Sequence, residues 1–198
     1  MNQQQYLHAS KIIDWQHPSI TKLAQQLANN KTDVTSIAQS CFEWVRDQIL
    51  HSYDYQKNPV TCRASEVLAA GTGYCYAKSH LLAALLRANS IPAGLCYQRL
   101  SINDDGKPYS LHGLNAVYLP KIGWYRLDPR GNKPGVNAQF NPPEEQLAFK
   151  IKFPQEADSK KVFAEPLELV VKTLETYQTY DEVLRNLPDL SLVVFRDL

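Results

Sequence analysis

Gly71-Thr72-Gly73-Tyr74-Cys75-Tyr76-Ala77-Lys78-Ser79 sets a cysteine where a glycine turn runs into an apolar helix. Two glycines within three residues break whatever precedes them. From Tyr74 to about Asn89 the pattern is helical, and Leu81, Leu82, Leu85 and Leu86 give it a broad apolar face. A helix that apolar belongs at the centre of a domain. Pro92 stops it. Cys75 therefore falls in the first turn of a buried helix, where unpaired backbone N–H groups favour a thiolate by roughly 0.3–1 kcal/mol. The N–H of Cys75 itself points toward any oxyanion formed on an attacked carbonyl. The glycines before it would let a substrate backbone come close.

Upstream, Ser65 to Ala70 reads as a short helix closed by Gly71 and Gly73. Residues 19–29 carry Ile20, Leu23, Ala24 and Leu27 at helical spacing. Asp33 caps a second helix that runs to about Leu50. His51 to Pro59 reads as an extended loop with two tyrosines, Tyr53 and Tyr55. Downstream, Ala93 to Ser101, His112 to Leu119 and Trp124 to Asp128 are strands, with Asn103-Asp-Asp-Gly106 as a hairpin turn. Residues 130–143 are loop, 145–153 a further strand, 167–187 mostly helix, and Leu192 to Phe195 a short apolar end. Helices, then an antiparallel meander, then more helix give an α+β fold. We expect one domain over 1–198: a helical part at 1–60, a catalytic core at 61–135 and an extension at 136–198.

The meander carries the rest of the chemistry. His112 opens one strand and Asp128 closes the next, and the two are equidistant from Pro120. A turn centred on Pro120 would set them directly opposite, with side chains on one face. Asp128 would then hold one imidazole nitrogen and leave the other for the thiol. A turn Pro120-Lys-Ile-Gly123 would slip the register by about three residues and need a bulge to restore the pair. Singly, a buried cysteine, a strand histidine and an Asp-Pro turn are commonplace. A thiol, imidazole and carboxylate at matched element ends are the parts of a nucleophilic acyl-transfer site.

Composition narrows the alternatives. The 198 residues are 44% apolar and 21% charged, with a net charge of +1, ordinary for a soluble globular chain. No basic excess points to nucleic acid, and no apolar run nears the roughly 20 residues that cross a bilayer. The opening Met1 to Tyr6 has neither a basic start nor an apolar stretch, so no signal peptide is expected. Cys41, Cys62, Cys75 and Cys96 form no C-x-x-C pair, which fits a reduced, cytoplasmic protein. A metal site from Cys62, Cys75, His80 and His112 fits no common zinc spacing.

These residues resemble the transglutaminase-like superfamily, whose fold is related to papain-type cysteine proteases. The resemblance lies in Glu66-Val-Leu68, Gly73-Tyr-Cys75, Ala84-Leu-Leu-Arg-Ala88, Ile91-Pro-Ala93, His112-Gly-Leu-Asn-Ala-Val-Tyr118 and Trp124-Tyr-Arg-Leu-Asp-Pro129, over roughly residues 40–130. It implies Cys75 as nucleophile, His112 as general base and then acid, and Asp128 as the orienting carboxylate. It also implies a side-chain donor to the oxyanion from the upstream loop, with Tyr53 and Tyr55 as candidates. Gly73, Tyr74, Tyr76 and Arg130 are candidate cleft residues, with Gly131 and Asn132 near the mouth. The chain departs from the family pattern in three places. Lys78 and Ser79 stand where an aromatic and a small residue are usual; His-Ala-Trp becomes His112-Gly113-Leu114; Asp-Pro-Thr becomes Asp128-Pro129-Arg130. Lys78, one turn after Cys75, would either stabilise a thiolate or lie in solvent. No acidic cluster resembles the calcium sites of animal transglutaminases, and no cofactor or metal is implied.

The leading expectation is a thiol acyl-transfer enzyme on a peptide or carboxamide substrate. Water as acceptor makes it a protease or amidase; an amine makes it a transglutaminase. Hydrolysis is favoured, since nothing in the chain identifies an amine site. Arylamine acetyltransferases share the triad but carry a longer chain. A non-catalytic peptide-binding module on the same fold is the competing class.

Overall fold

A computed structural model describes residues 3–103 and 105–198. The chain forms helices α1 (Pro18–Ala28) and α2 (Val34–Gln48), strand β1 (Leu50–His51), α3 (Ala64–Ala70), β2 (Thr72–Gly73), α4 (Cys75–Ala88), strands β3 (Ala93–Ser101), β4 (Tyr109–Leu119), β5 (Gly123–Leu127), β6 (Gln139–Asn141), β7 (Glu144–Gln146) and β8 (Ala157–Asp158), and helices α5 (Glu168–Thr176), α6 (Tyr180–Arg185) and α7 (Leu192–Arg196). It is an α+β arrangement with α4 at its centre. α1, α2 and α3 pack on one side of α4, and β3 and β4 on the other.

Local chemistry explains the element ends. Pro18 occupies the first turn of α1, where its missing N–H costs nothing. Asp33 caps α2, taking the Ser36 N–H at 2.9 Å. Gly71 closes α3 at φ +66°, a left-handed position that suits glycine. Every residue of α4 except Ala88 is buried. Leu81, Leu82, Leu85 and Leu86 are wholly inaccessible, and their burial stabilises the fold by about 6–12 kcal/mol. That rivals the net stability of a whole domain, so α4 is the element on which the fold depends.

The main sheet is antiparallel in the order β5-β4-β3-β8. Along β4 the odd residues face the helices: Leu111, Val117 and Leu119 join the large core, and the Asn115 amide donates to Ser79 O at 2.9 Å. Leu114 and Ala116 form a small second core with Cys96, covered by Trp124, Leu147 and Val162. β3 is therefore buried on both faces and does not alternate.

Several expectations are corrected. The 145–153 strand shrinks to β7, which pairs with β6 inside the expected 130–143 loop. Residues 147–153 run as irregular wall instead, because Ala148 and Phe149 are drawn to Asp128 and His112. The 167–187 helix breaks between Thr176 and Tyr180, where Thr179 caps α6 in a capping box with Glu182. The short pairs β1–β2 and β3–β8 carry too few residues for a periodic signal. The expected Asn103–Gly106 turn includes Asp104, which lies outside the described residues.

Candidate active site

β1 and β2 are two-residue parallel strands, and they fix the approach to Cys75. Leu50 pairs with Thr72 and His51 with Gly73. Tyr74 is then the N-cap of α4 and Cys75 its first residue, as the glycine turn predicts. Cys75 is 7% exposed, so its thiol is reachable only from one side.

The register of β4 with β5 decides where the imidazole meets the carboxylate. Leu119 pairs with Gly123 and Asn115 with Leu127. The turn is thus not centred on Pro120, and Asp128 is not opposite His112. The slip from the expected register is two residues rather than three. An even slip keeps every side chain on its face, whereas an odd one would have flipped Asp128 away. Asp128 lies one residue past the end of β5 as a diagonal neighbour, and its Oδ2 is 2.7 Å from His112 Nε2 with no bulge needed. The other ring nitrogen, Nδ1, is left for Cys75.

β5 ends opposite Asn115, so the β4 edge beyond it has no strand partner. Other groups satisfy it. Cys75 Sγ takes the Gly113 N–H at 3.5 Å, Pro188 O takes the Leu111 N–H at 2.8 Å, and the Tyr76 hydroxyl donates to Leu111 O. The thiol is thereby docked on a free sheet edge beside His112.

Electrostatics bind the three groups together. Burial opposes charge on His112, yet the Asp128 carboxylate and the Cys75 thiol outweigh it and lift the imidazole to about 10. Burial likewise disfavours ionised Asp128, but the His112 charge and the N–H groups of Arg130 (3.1 Å) and Ala148 (3.2 Å) hold it below its ordinary value. Asp128 is inaccessible to solvent. Phe149 stands edge-on to the His112 ring at 5.0 Å, and the Arg130 guanidinium lies over Phe149 at 5.5 Å. The pair is thus screened from water on that side.

A cavity of about 560 Å³ opens over Cys75 and His112. Tyr53, Tyr74, Tyr76 and Arg130 line it. The Tyr74 hydroxyl is engaged with Tyr180 O at 2.5 Å and that of Tyr76 with Leu111 O, so both act through their rings. Tyr53 keeps its hydroxyl without a protein partner among the described residues. Tyr55 instead lines an adjoining cavity of about 420 Å³, together with Gly131, Asn132 and Lys78. Gly73 is not a cleft residue: a Cβ there would meet Ala77 Cβ at 3.0 Å and Thr61 Oγ1 at 3.2 Å, so its close approach is to the interior. Lys78 is neither solvated nor the thiol's partner. It is fully buried, and its Nζ donates to Ile49 O and Arg46 O at the end of α2; burial and Arg130 bring it down to about 7.

Sequence reasoning missed three contributors. Phe149 shields His112, but it sits outside any motif. Leu184 and Leu187 close the far wall from α6 and the turn after it. His51 stands between the two cavities, 7% exposed and edge-on to Tyr74 at 5.5 Å, with Nδ1 facing Asp54 at 3.5 Å. Burial and the Arg130 charge push it well below the ordinary histidine value. Its one legible signal is its place at the head of the two-tyrosine loop.

The profile of the transglutaminase-like superfamily matches residues 21–129. Among solved structures, a candidate cysteine protease from Cytophaga hutchinsonii has a TM-score of 0.51 and 21% identity, over 63% of this chain and 40% of that one. The periplasmic domain of TgpA from Pseudomonas aeruginosa has a TM-score of 0.48 and 17% identity, over 64% of this chain and 46% of that one. This chain thus spans less than half the length of either. No curated protein sequence matches it. The match over 21–129 takes in more than half of the chain and includes Cys75, His112 and Asp128, and on that ground the chain belongs to the transglutaminase-like superfamily.

Proposed function

We propose that this protein is a cysteine-dependent acyl-transfer enzyme that hydrolyses a peptide or carboxamide bond through a thioester on Cys75. The observation that carries the reading is the bond between His112 Nε2 and Asp128 Oδ2 at 2.7 Å, with the opposite ring nitrogen turned to a thiol on an open cleft.

In this reading Cys75 Sγ attacks the carbonyl carbon as a thiolate, and His112 carries the proton. The tetrahedral oxyanion forms at the start of α4, where the Cys75 N–H has no intrahelical partner. Tyr53 supplies a second donor from the cleft wall. His112 Nδ1 then gives its proton to the departing amine, and the C–N bond breaks to leave a thioester. Water enters, His112 takes one of its protons, and the C–S bond breaks to release the acid and restore the thiolate. Asp128 holds the ring in place and never receives the proton. The reading includes a reducing compartment, which would keep Cys75 free.

Alkylation by iodoacetamide from about pH 5 to 9, followed by peptide mass analysis, tests it. Cys75 should react fastest of the four cysteines below pH 7, and His112→Ala should remove that advantage. A Cys75 no faster than Cys41, Cys62 and Cys96 in wild type would end the reading. Adding a primary amine during turnover separates the two acceptors: an amide product in place of acid would make it a transglutaminase. Tyr53→Phe should lower kcat by about 10²-fold with little change in KM.

A further inference from the structure

Positive charge is unevenly spread on this chain. Its net charge is only +1, yet the cleft over Cys75 is lined by Arg130, Lys133, Lys150 and Lys152. Among the described residues the one carboxylate on the lining is Glu156, and it is 5% exposed. Its oxygens take the N–H groups of Ser101 at 2.9 Å, Lys152 at 2.6 Å and Phe153 at 3.1 Å. That carboxylate is committed to folding the turn it closes. Asp54, just behind the lining, is shared by Arg130 at 2.6 Å and Lys133 at 2.6 Å, so two cations meet one anion there. Lys150 is exposed and has no protein partner among the described residues. A cleft lined by one sign of charge draws in ligands of the other.

The charge also has a side. Lys150 follows Phe149, whose ring stands against His112, and Arg130 stacks on the same ring. Arg130 and Lys150 therefore lie on the His112 flank of the nucleophile. Leu100, Leu111, Leu184 and Leu187 supply the apolar part of the lining. His112 is the group that protonates the departing amine, so the leaving half of the substrate lies on the cationic flank.

We propose that the cleft selects peptides with an acidic residue on the leaving-group side of the scissile bond, and that Lys150 is a specificity-determining residue for that charge. The proposal rests on the reading of the cleft as a peptide site. Its substrate is an acidic peptide.

Binding tests it without requiring turnover. Cys75→Ala protein is titrated by fluorescence anisotropy with octapeptide libraries that fix Glu, Gln or Lys at each position in turn. Glu should bind about 10-fold tighter than Gln at one or two neighbouring positions, and Lys weaker than either. The preference should collapse near 0.5 M NaCl, where screening is nearly complete over a few ångströms. Lys150→Glu should abolish or invert the Glu preference. Equal binding of Glu and Gln libraries, or no binding by any, would overturn the proposal. Turnover by wild type on the same libraries reports separately on the catalytic reading: cleavage without charge preference sinks this inference and leaves that one standing.

Discussion

Replacing Asp128 with Asn should change the slope of stability against pH, and the size of the change follows from two buried groups. His112 binds its proton up to about pH 10 in the folded protein, against an ordinary 6.5 when unfolded. Between those values the folded state holds a proton that the unfolded state has lost. Its contribution is fully present below about 6.5 and declines as pH rises, by about 1.4 kcal/mol per pH unit. Lys78 does the reverse. Burial brings it from 10.5 to about 7, so between those values the unfolded state holds the extra proton. Its contribution is present above 10.5 and is lost as pH falls through 7. From pH 7 to 9 the two slopes oppose each other and nearly cancel. Neither group needs discounting for solvent, since Lys78 is inaccessible and His112 only 6% exposed. Cys41, Cys62 and Cys96, pushed by burial from 9.0 to about 12, lower stability as pH nears 9, but equally in every variant, so the differences in slope between proteins are what is read.

Asp128→Asn removes the largest charge that favours protonated His112. Burial is then opposed by Cys75 alone, and the imidazole falls well below 10. With less of the His112 slope to oppose Lys78, stability relative to wild type should rise from pH 7 to 9, by up to about 2.5 kcal/mol. Lys78→Met should show the mirror image, with stability falling over the same range. Urea unfolding at pH 7, 8 and 9 measures all three proteins, and the His112 Cε1 proton resonance follows the titration directly. Parallel slopes in wild type and Asp128→Asn, or a wild-type His112 titrating near 6.5, would refute the argument. Turnover at pH 7 should fall with Asp128→Asn by about 10²–10⁴-fold, the usual worth of a positioned acid–base group.

Phe149→Ala should admit water to the His112–Asp128 pair and screen its attraction; the His112 resonance should then titrate clearly below 10, with kcat reduced more than KM is raised. Gly113→Ala should destabilise by about 1–3 kcal/mol, because a Cβ there would lie 2.9 Å from Tyr76 Cδ1 and 3.1 Å from its Cα. Thermal unfolding reads that cost, and slower alkylation of Cys75 reads the accompanying shift at the start of α4. Replacing Cys41, Cys62 and Cys96 together by alanine should leave the alkylation rate of Cys75 unchanged, since none lines the cleft.

The central helix and the grouping of Cys75, His112 and Asp128 were legible because they rest on local signals. A glycine turn, an apolar helix and a proline stop fix where Cys75 sits, and strand ends fix His112 and Asp128. What stayed hidden depends on long-range contacts. Lys78 reads as a surface residue because nothing in its neighbourhood announces the free carbonyls of α2 that take its ammonium group. Phe149 reads as part of a strand, yet the Ala148 N–H is claimed by Asp128, twenty residues back, and the strand never forms. His51 belongs to a two-residue strand whose partner lies across α3 in sequence. The register was half legible: alternation gives the face, and only the turn gives the offset.

The departure from the usual His-Ala at this site has a physical reason in the same place. β5 stops at Leu127, which bares the β4 edge at Gly113 and lets α4 begin against it. In this chain the residue after Cys75 is Tyr76, whose ring, Cα and N all fall within 3.3 Å of where a Cβ on residue 113 would stand. Its hydroxyl reaches on to Leu111 O, so the ring cannot swing away without freeing a buried carbonyl. A large side chain at 76 and a missing one at 113 are therefore a single solution to bringing the thiol onto the sheet edge. Tyr76→Ala combined with Gly113→Ala should accordingly lose less stability than the sum of the two single losses. Simple additivity of the two losses would show that the contact does not govern residue 113.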